Sequence, residues 1–337
     1  MPPTLPEVLA LDIGGTKLAV GVVDASGTVK GMQVEPTLRT EGPESVVRRL
    51  FAMGHRAIAA AGSDLSSLCG VGIACGGPLD AETGVLLSPL HLPGWDNLPI
   101  GPLAAQEFGH PATLVNDASA GAWGEYRFGA GRNTGSLVYL TASTGIGGGA
   151  VFNGQLHYGA AGNGGEFGHI MVRPGGRLCT CGRRGCVESY ASGTAMAEYA
   201  AELIAAGSPS SLRLLETITA ADIAASVAVD ALAARVWDEG MAALGTAVTD
   251  LVNILEPEVV VIGGGLTRSG AMLLEPVRTI VMTSAMPPAA AAVRVVLADL
   301  GDAVCVVGAG AVALDRVGVG VGVGVGVGVE RPVALHA

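Results

Sequence analysis

Two stretches far apart in this chain repeat one pattern: an apolar strand, a tight turn of glycine and threonine, a second strand and a closing turn. The first is LDIGGTKLAVGVVDASG from Leu11, and the second runs from Leu137 through STGIGGG, Ser143–Gly149, to AVFNG. Strands are expected over 8–13, 18–23 and 29–34, with Asp24–Gly27 as a hairpin turn. A strand feeding directly into another strand differs from a dinucleotide fold, where a helix follows the first glycine turn. The stretch also lacks the spaced glycines and Gly-Lys-[Ser/Thr] ending of a P-loop. A repeated unit of this kind implies a duplicated α/β architecture with a nucleotide between its halves.

The rest of the chain alternates between helix and strand patterns. Helices are expected over 43–61, 103–108, 118–128, 193–206, 219–227, 230–255, 270–284 and 302–316. Further strands are expected over 68–74, 112–115, 137–141, 259–262 and 293–297. Residues 79–99, LDAETGVLLSPLHLPGWDNLP, read as one long loop, a length that is often functional. From Val317 to Val329 valine and glycine alternate. Glycine at every second position leaves little side chain to pack, so a disordered low-complexity tail is expected over 317–337.

Partners are bounded by charge. The net charge is −11 and lysine occurs only at Lys17 and Lys30, so no basic surface for nucleic acid is expected. Apolar runs are broken before membrane length and no signal peptide is evident, so a cytoplasmic location is expected.

The chemistry gathers at strand ends. Asp12 closes the first strand beside Gly14-Gly15-Thr16-Lys17, whose backbone amides can form a nest for phosphate oxygens. Thr16 adds a hydroxyl, and Asp12 can orient Mg²⁺ directly or through its waters. Thr144-Gly145-Ile146-Gly147 supplies a second nest, and Gly263-Gly264-Gly265 lets backbone approach a flat adenosine. Any one glycine run is weak evidence in a glycine-rich chain; three at successive strand ends are stronger. Asn116-Asp117 stands where a strand passes into a helix. Asp117 there either points into a cleft and accepts a hydroxyl proton or serves as a helix N-cap.

His169, Cys179, Cys181 and Cys186 fall within eighteen residues. One imidazole and three thiolates make a closed tetrahedral Zn²⁺ set with no position left for water, which predicts a structural ion. Glu166 and Glu188 flank this loop and can hold sugar hydroxyls, with the metal stiffening the wall that carries them. Cys69, Cys75 and Cys305 lie in apolar runs and read as small buried hydrophobes.

These motifs resemble those of the ROK family, bacterial sugar kinases and related repressors, over residues 9–316. The carriers are LDIGGTK, NDASAGAWGE from Asn116, STGIGGG, and GEFGH with CTCGRRGCVE between Gly165 and Glu188. The resemblance implies a two-lobed actin-like, ribonuclease-H-like fold, with ATP and Mg²⁺ between the lobes and the sugar beside them. It implies Asp117 as catalytic base, Asn116, Glu166, His169, Glu188 and Gly77 at the sugar, and His169 bridging to zinc. It further implies a homodimer, or a homotetramer. One lobe is expected to hold 1–112 and 302–316, the other 113–301. This chain departs from the family pattern at Ser119, Ser143, Cys75-Gly76 and Leu90-His91.

The expected activity is ATP-dependent phosphorylation of glucose at its 6-hydroxyl. N-acetylmannosamine is the alternative sugar, with His91 as a candidate partner for its acetamido group. A non-catalytic sugar-binding regulator is the alternative of another class. The phosphate motif begins at Leu11 with no winged helix ahead of it, so a DNA-binding regulator is not expected.

Overall fold

The computed structural model describes residues 5–319, so the tail expected over 317–337 lies outside the described residues except for 317–319, whose backbone closes the last helix through Val317 N–H on Ala313 O and Val319 N–H on Leu314 O. The first half contains β1 (Glu7–Ile13), β2 (Lys17–Asp24), β3 (Val29–Pro36), α1 (Pro43–Ala61) and β4 (Val71–Cys75). It continues with a small hairpin of β5 (Leu79–Asp80) and β6 (Val85–Leu86), then α2 (Ile100–Phe108) and β7 (Ala112–Asn116). After α3 (Asp117–Phe128) comes a second set of strands, β8 (Ser136–Ala142), β9 (Ile146–Phe152) and β10 (Gln155–Leu156). Four helices follow, α4 (Glu188–Ala191), α5 (Gly193–Ala205), α6 (Ala220–Ser226) and α7 (Ala231–Leu255). The chain then forms β11 (Val259–Gly263), α8 (Ala271–Ser284), α9 (Pro287–Ala292), β12 (Arg294–Leu297) and α10 (Val304–Arg316).

The two five-stranded sheets have matching orders, β3-β2-β1-β4-β7 and β10-β9-β8-β11-β12. In each, the first strand pairs antiparallel with the second and parallel with the strand that returns through a helix. This is the duplicated architecture that the repeated turns implied, in the two-lobed actin-like and ribonuclease-H-like form that the family resemblance implied.

β1 is apolar throughout because both its faces are covered. Leu9, Leu11 and Ile13 pack with Val46, Leu50 and Met53 of α1, while Val8 and Ala10 face α10. The small residues of α10 have a steric cause. A Cβ at Gly308 would strike the carbonyl of Ala120 in α3, and one at Gly72 in β4 would strike the carbonyl of Ala309. The last helix is thus wedged between α3 and the first sheet, closer than larger side chains permit. In the second half, α7 lays Val236, Trp237, Met241, Leu244 and Val248 over the apolar face of β8 and β11.

Three expectations need adjustment. The second turn is shorter than Ser143–Gly149, because β9 already starts at Ile146. Gly147–Gly149 are strand residues, and a Cβ on Gly149 would lie 2.9 Å from Ala118 O and from Ala122 Cβ of α3. Residues 79–99 are more ordered than one loop: a hairpin opens them, and Leu86, Leu92 and Trp95 are buried in the first core. Finally, β7 pairs with β4 in the first sheet, so residues 113–116 stand on the first-sheet side of the expected division at 112.

Candidate active site

A cleft of about 620 Å³ opens where strands of both sheets end. β1, β4 and β7 deliver Asp12, Gly76-Gly77 and Asn116-Asp117 to it from one side. β8, β11 and β12 deliver Ser143-Thr144, Gly264-Gly265 and Ala298 from the other. Ligands of open α/β sheets bind outside the carboxyl ends of strands, and here two sheets aim those ends at one space.

The first glycine turn is braced from below. Gly14 N–H donates to Lys17 O at 3.0 Å, and the Thr37 hydroxyl donates to Gly14 O at 2.6 Å. A Cβ on Gly14 would stand 2.9 Å from Lys17 O, so the turn requires a residue without one. The second turn is held by Ser143 N–H on Gly145 O at 2.9 Å and by the Glu188 carboxylate, which accepts from Ile146 N–H at 3.0 Å.

Between these turns lie two acids, Asp12 buried and Asp117 half-buried. Asp12 is 6 % exposed, and burial with Asp117 nearby pushes its carboxyl up to about 7, against the opposing pull of Lys17. Burial also raises Asp117, partly offset by the Ala118 N–H and by His91. Asn116 caps α3, its side chain accepting from Ala118 N–H at 3.0 Å and Ser119 N–H at 3.1 Å, with its own backbone extended. The capping duty that an acid at this junction could perform therefore rests on Asn116. Asp117 accepts from Ala118 N–H through Oδ1 at 2.8 Å, and its Oδ2 faces Gly76.

Glu166 and His169 share the cleft wall, with His169 Nε2 3.7 Å from Glu166 Oε2. His169 Nδ1 turns the other way, 3.6 Å from Cys179 Sγ, and Cys181 and Cys186 sulfurs are 3.7 Å apart. Tetrahedral Zn²⁺ with ~2.3 Å Zn–S bonds needs ligand separations of about 3.8 Å. All four ligand atoms lie within 4.8 Å of one another, so the cluster fits a structural zinc ion.

Most expected site residues therefore meet. Two stand back. Glu188 does not line the cleft; its second oxygen accepts from the Thr180 hydroxyl at 3.2 Å, so it ties the metal loop to the second turn. Gly263 lies behind the wall, where a Cβ would strike the Tyr139 hydroxyl. Arg39, Arg268 and Asp302 line the cleft without having been expected there, the last two paired at 3.0 Å. Isolated residues in irregular segments carry no periodic or motif signal, so nothing in the sequence alone marked them.

Residues 8–316 match the family model described as the ROK family. A glucokinase of Thermotoga maritima is 35% identical over 322 residues, covering 93% of this chain and 98% of that one. An N-acetylmannosamine kinase of Yersinia pestis is 36% identical over 260 residues, covering 77% of this chain and 82% of its own. Among solved structures, a ROK family glucokinase from Streptomyces griseus in complex with glucose and AMPPNP superposes with a TM-score of 0.77 at 32% identity. The match spans 92% of this chain and 99% of that one. Matched by the family model over residues 8–316 and 35% identical to a glucokinase over 93% of its length, the chain belongs to the ROK family, in its branch of glucokinase-like sugar kinases.

Proposed function

We propose that the protein transfers the γ-phosphoryl group of ATP to the 6-hydroxyl of glucose. The observation that carries this is the placement of Asp117: half-buried in the cleft, relieved of capping by Asn116, and set between two glycine turns. As the acceptor hydroxyl attacks, Asp117 takes its proton, and the alkoxide character builds on an oxygen held in line. The backbone amides around Gly14 and Gly145 approach the phosphates from opposite lobes. Such fixed dipoles favour the charge that spreads over the transferring group. Lys17 adds a cation on the first side. The lobes are residues up to Asn116 with α10, and α3 through β12, and their closure would exclude water, the competing acceptor.

Asp12, buried, and Asp117, half-buried beside it, repel one another as like charges, which suits a divalent cation. Mg²⁺ held by Asp12 would neutralise phosphate charge when bound. On the sugar side, Asn116, Glu166, His169 and Gly77 offer acceptors, donors and close backbone approach. Zinc behind His169 would fix the imidazole through its Nδ1 and leave Nε2 for a sugar hydroxyl.

The similarity to N-acetylmannosamine kinases supports a second reading, in which the sugar carries a 2-acetamido group. That group needs extra volume and a partner for its N–H, and His91 is the side chain in the substrate-facing loop able to supply one. A coupled assay across glucose, mannose, fructose, allose and N-acetylmannosamine decides between them. Glucose should give the highest kcat/KM; a higher value for N-acetylmannosamine overturns the glucose assignment and leaves the kinase reading standing.

A further inference from the structure

The loop from Leu87 to Pro99 is fixed at its base and presents one imidazole to the cleft. Leu92 and Trp95 are 2 % and 1 % exposed, sunk in the first core on the C-terminal side of His91. Ser88 donates its hydroxyl to Asp96 at 2.7 Å, and Asn97 N–H donates to Leu87 O at 3.0 Å, closing the loop on itself. Arg39 donates to the carbonyl of His91 at 3.2 Å, a backbone contact that any residue at 91 would keep. His91 itself is exposed and lines the cleft.

Its location is informative because it touches both glycine turns. A Cβ built on Gly15 would stand 2.9 Å from His91 Cβ, so the side chain starts directly over the first turn. A Cβ built on Gly145 would stand 3.9 Å from His91 Nε2, so the ring ends beside the second. The imidazole therefore spans the gap between the two halves, on the side where Asp117 feels it. If both turns hold phosphate oxygens, the point they share with Asp117 is where the transferring group passes. We propose that His91 is a ligand of the γ-phosphoryl group, donating from its ring to an oxygen that ADP lacks, and that it links the two lobes through the nucleotide's terminal phosphate. This rests on the kinase reading above and adds a contact specific to the third phosphate.

A ligand of that kind separates two nucleotides that share everything except the γ-phosphate. Titration calorimetry with AMPPNP and with ADP, on wild type, His91→Ala and His91→Gln, reads it directly. Thermal melting confirms that the variants fold, as an exposed side chain permits. His91→Ala should weaken AMPPNP about tenfold or more while ADP and glucose each change less than about twofold, and kcat should fall with glucose KM nearly unmoved. His91→Gln, which keeps a donor, should recover part of the AMPPNP affinity. Equal weakening of ADP and AMPPNP, or no weakening of either, overturns the proposal. A change confined to sugar binding also overturns it and makes His91 a sugar-reading residue. Failure of the wild type to phosphorylate any sugar in the panel with ATP would instead strike the functional reading itself, which keeps the two failures apart.

Discussion

The two halves share a strand order and differ in what their first turns carry. The first turn holds an acid and a cation, Asp12 and Lys17, on a turn braced by Thr37. The corresponding turn of the second half, Ser143-Thr144-Gly145, has hydroxyls and backbone only, and is braced by Glu188 from the metal loop. Duplication thus supplied two equivalent frames, which the proposed function sets against the phosphates, and the charged side chains stand in one of them. The second half took on the ion-stiffened wall instead. One consequence is that the chemistry should depend on the first frame and the seam, whereas sugar affinity should depend on the second.

The seam gives the largest test. Asp117 follows the last strand of the first sheet and opens the helix that packs on the second. Asp117→Asn keeps shape and removes the proton acceptor. General-base catalysis contributes roughly 10²–10⁴-fold, so kcat should fall by about that factor while glucose binding, read by titration, changes little. A loss confined to KM would move Asp117 from the chemistry to binding and break the division drawn above.

Much of this division was legible in the residues. Acids and glycines at strand ends are visible because strand propensity and glycine turns have separate signatures, and LDIGGTK carries both. The metal loop is visible because four ligands at close spacing have few other uses. The choice between Asn116 and Asp117 as cap was not legible: both residue types cap helices, and only the extended backbone of Asn116, φ −61° and ψ 140°, decides it. The start of β9 was missed for a related reason. Three consecutive glycines read as a turn, yet Gly147 and Gly149 lie too close to α3, and Gly148 too close to Phe167 and Gly165, for side chains, a fact set by contacts between distant segments. Arg39, Arg268 and the buried anchors Leu92 and Trp95 belong to the same class. Their positions follow from tertiary packing and from no local pattern.

The second test falls on the metal wall. Cys181→Ser removes one of four ligands. Structural zinc contributes folding free energy directly, so zinc content should drop from about one per chain and the melting temperature by roughly 10 °C or more. Glucose affinity should fall with it, because His169 and Glu166 lose their support. AMPPNP affinity should fall less, since the loop meets the second glycine turn, through Glu188 and through Gly168 against the Ile146 carbonyl, whereas Asp12 and Lys17 stand on the first. Protein never exposed to chelator that holds no zinc would overturn the metal assignment. An equal loss of sugar and nucleotide affinity would show that the halves do not divide as argued.

The smallest effect belongs to Asp12, and its direction sharpens the comparison more than its size. Burial and the neighbouring Asp117 raise this carboxyl from 3.8 to about 7, so the folded apo-protein holds a proton there that the unfolded chain releases. The resulting stability is fully present below about pH 4 and is lost as pH rises through 7. At pH 8 the ionised, buried Asp12 costs at most about 4 kcal/mol. Asp12→Asn removes that cost. The variant should melt several degrees above wild type at pH 8, with the gap closing by pH 5, while turnover falls because the first turn has lost its acid. Asp117→Asn should shift the same pH dependence to lower pH, since the repulsion that helps keep Asp12 protonated is then gone and burial alone holds its carboxyl up. The direction of that last shift follows from the sign of the coupling: with a neutral neighbour Asp12 titrates lower, so the stability loss is complete at lower pH and is smaller in total. Melting curves of the three proteins between pH 5 and 8 read all of this. An Asp12→Asn variant less stable than wild type at pH 8 would mean that the acid is satisfied in its burial, and that the first half carries no stored charge for a cation to relieve.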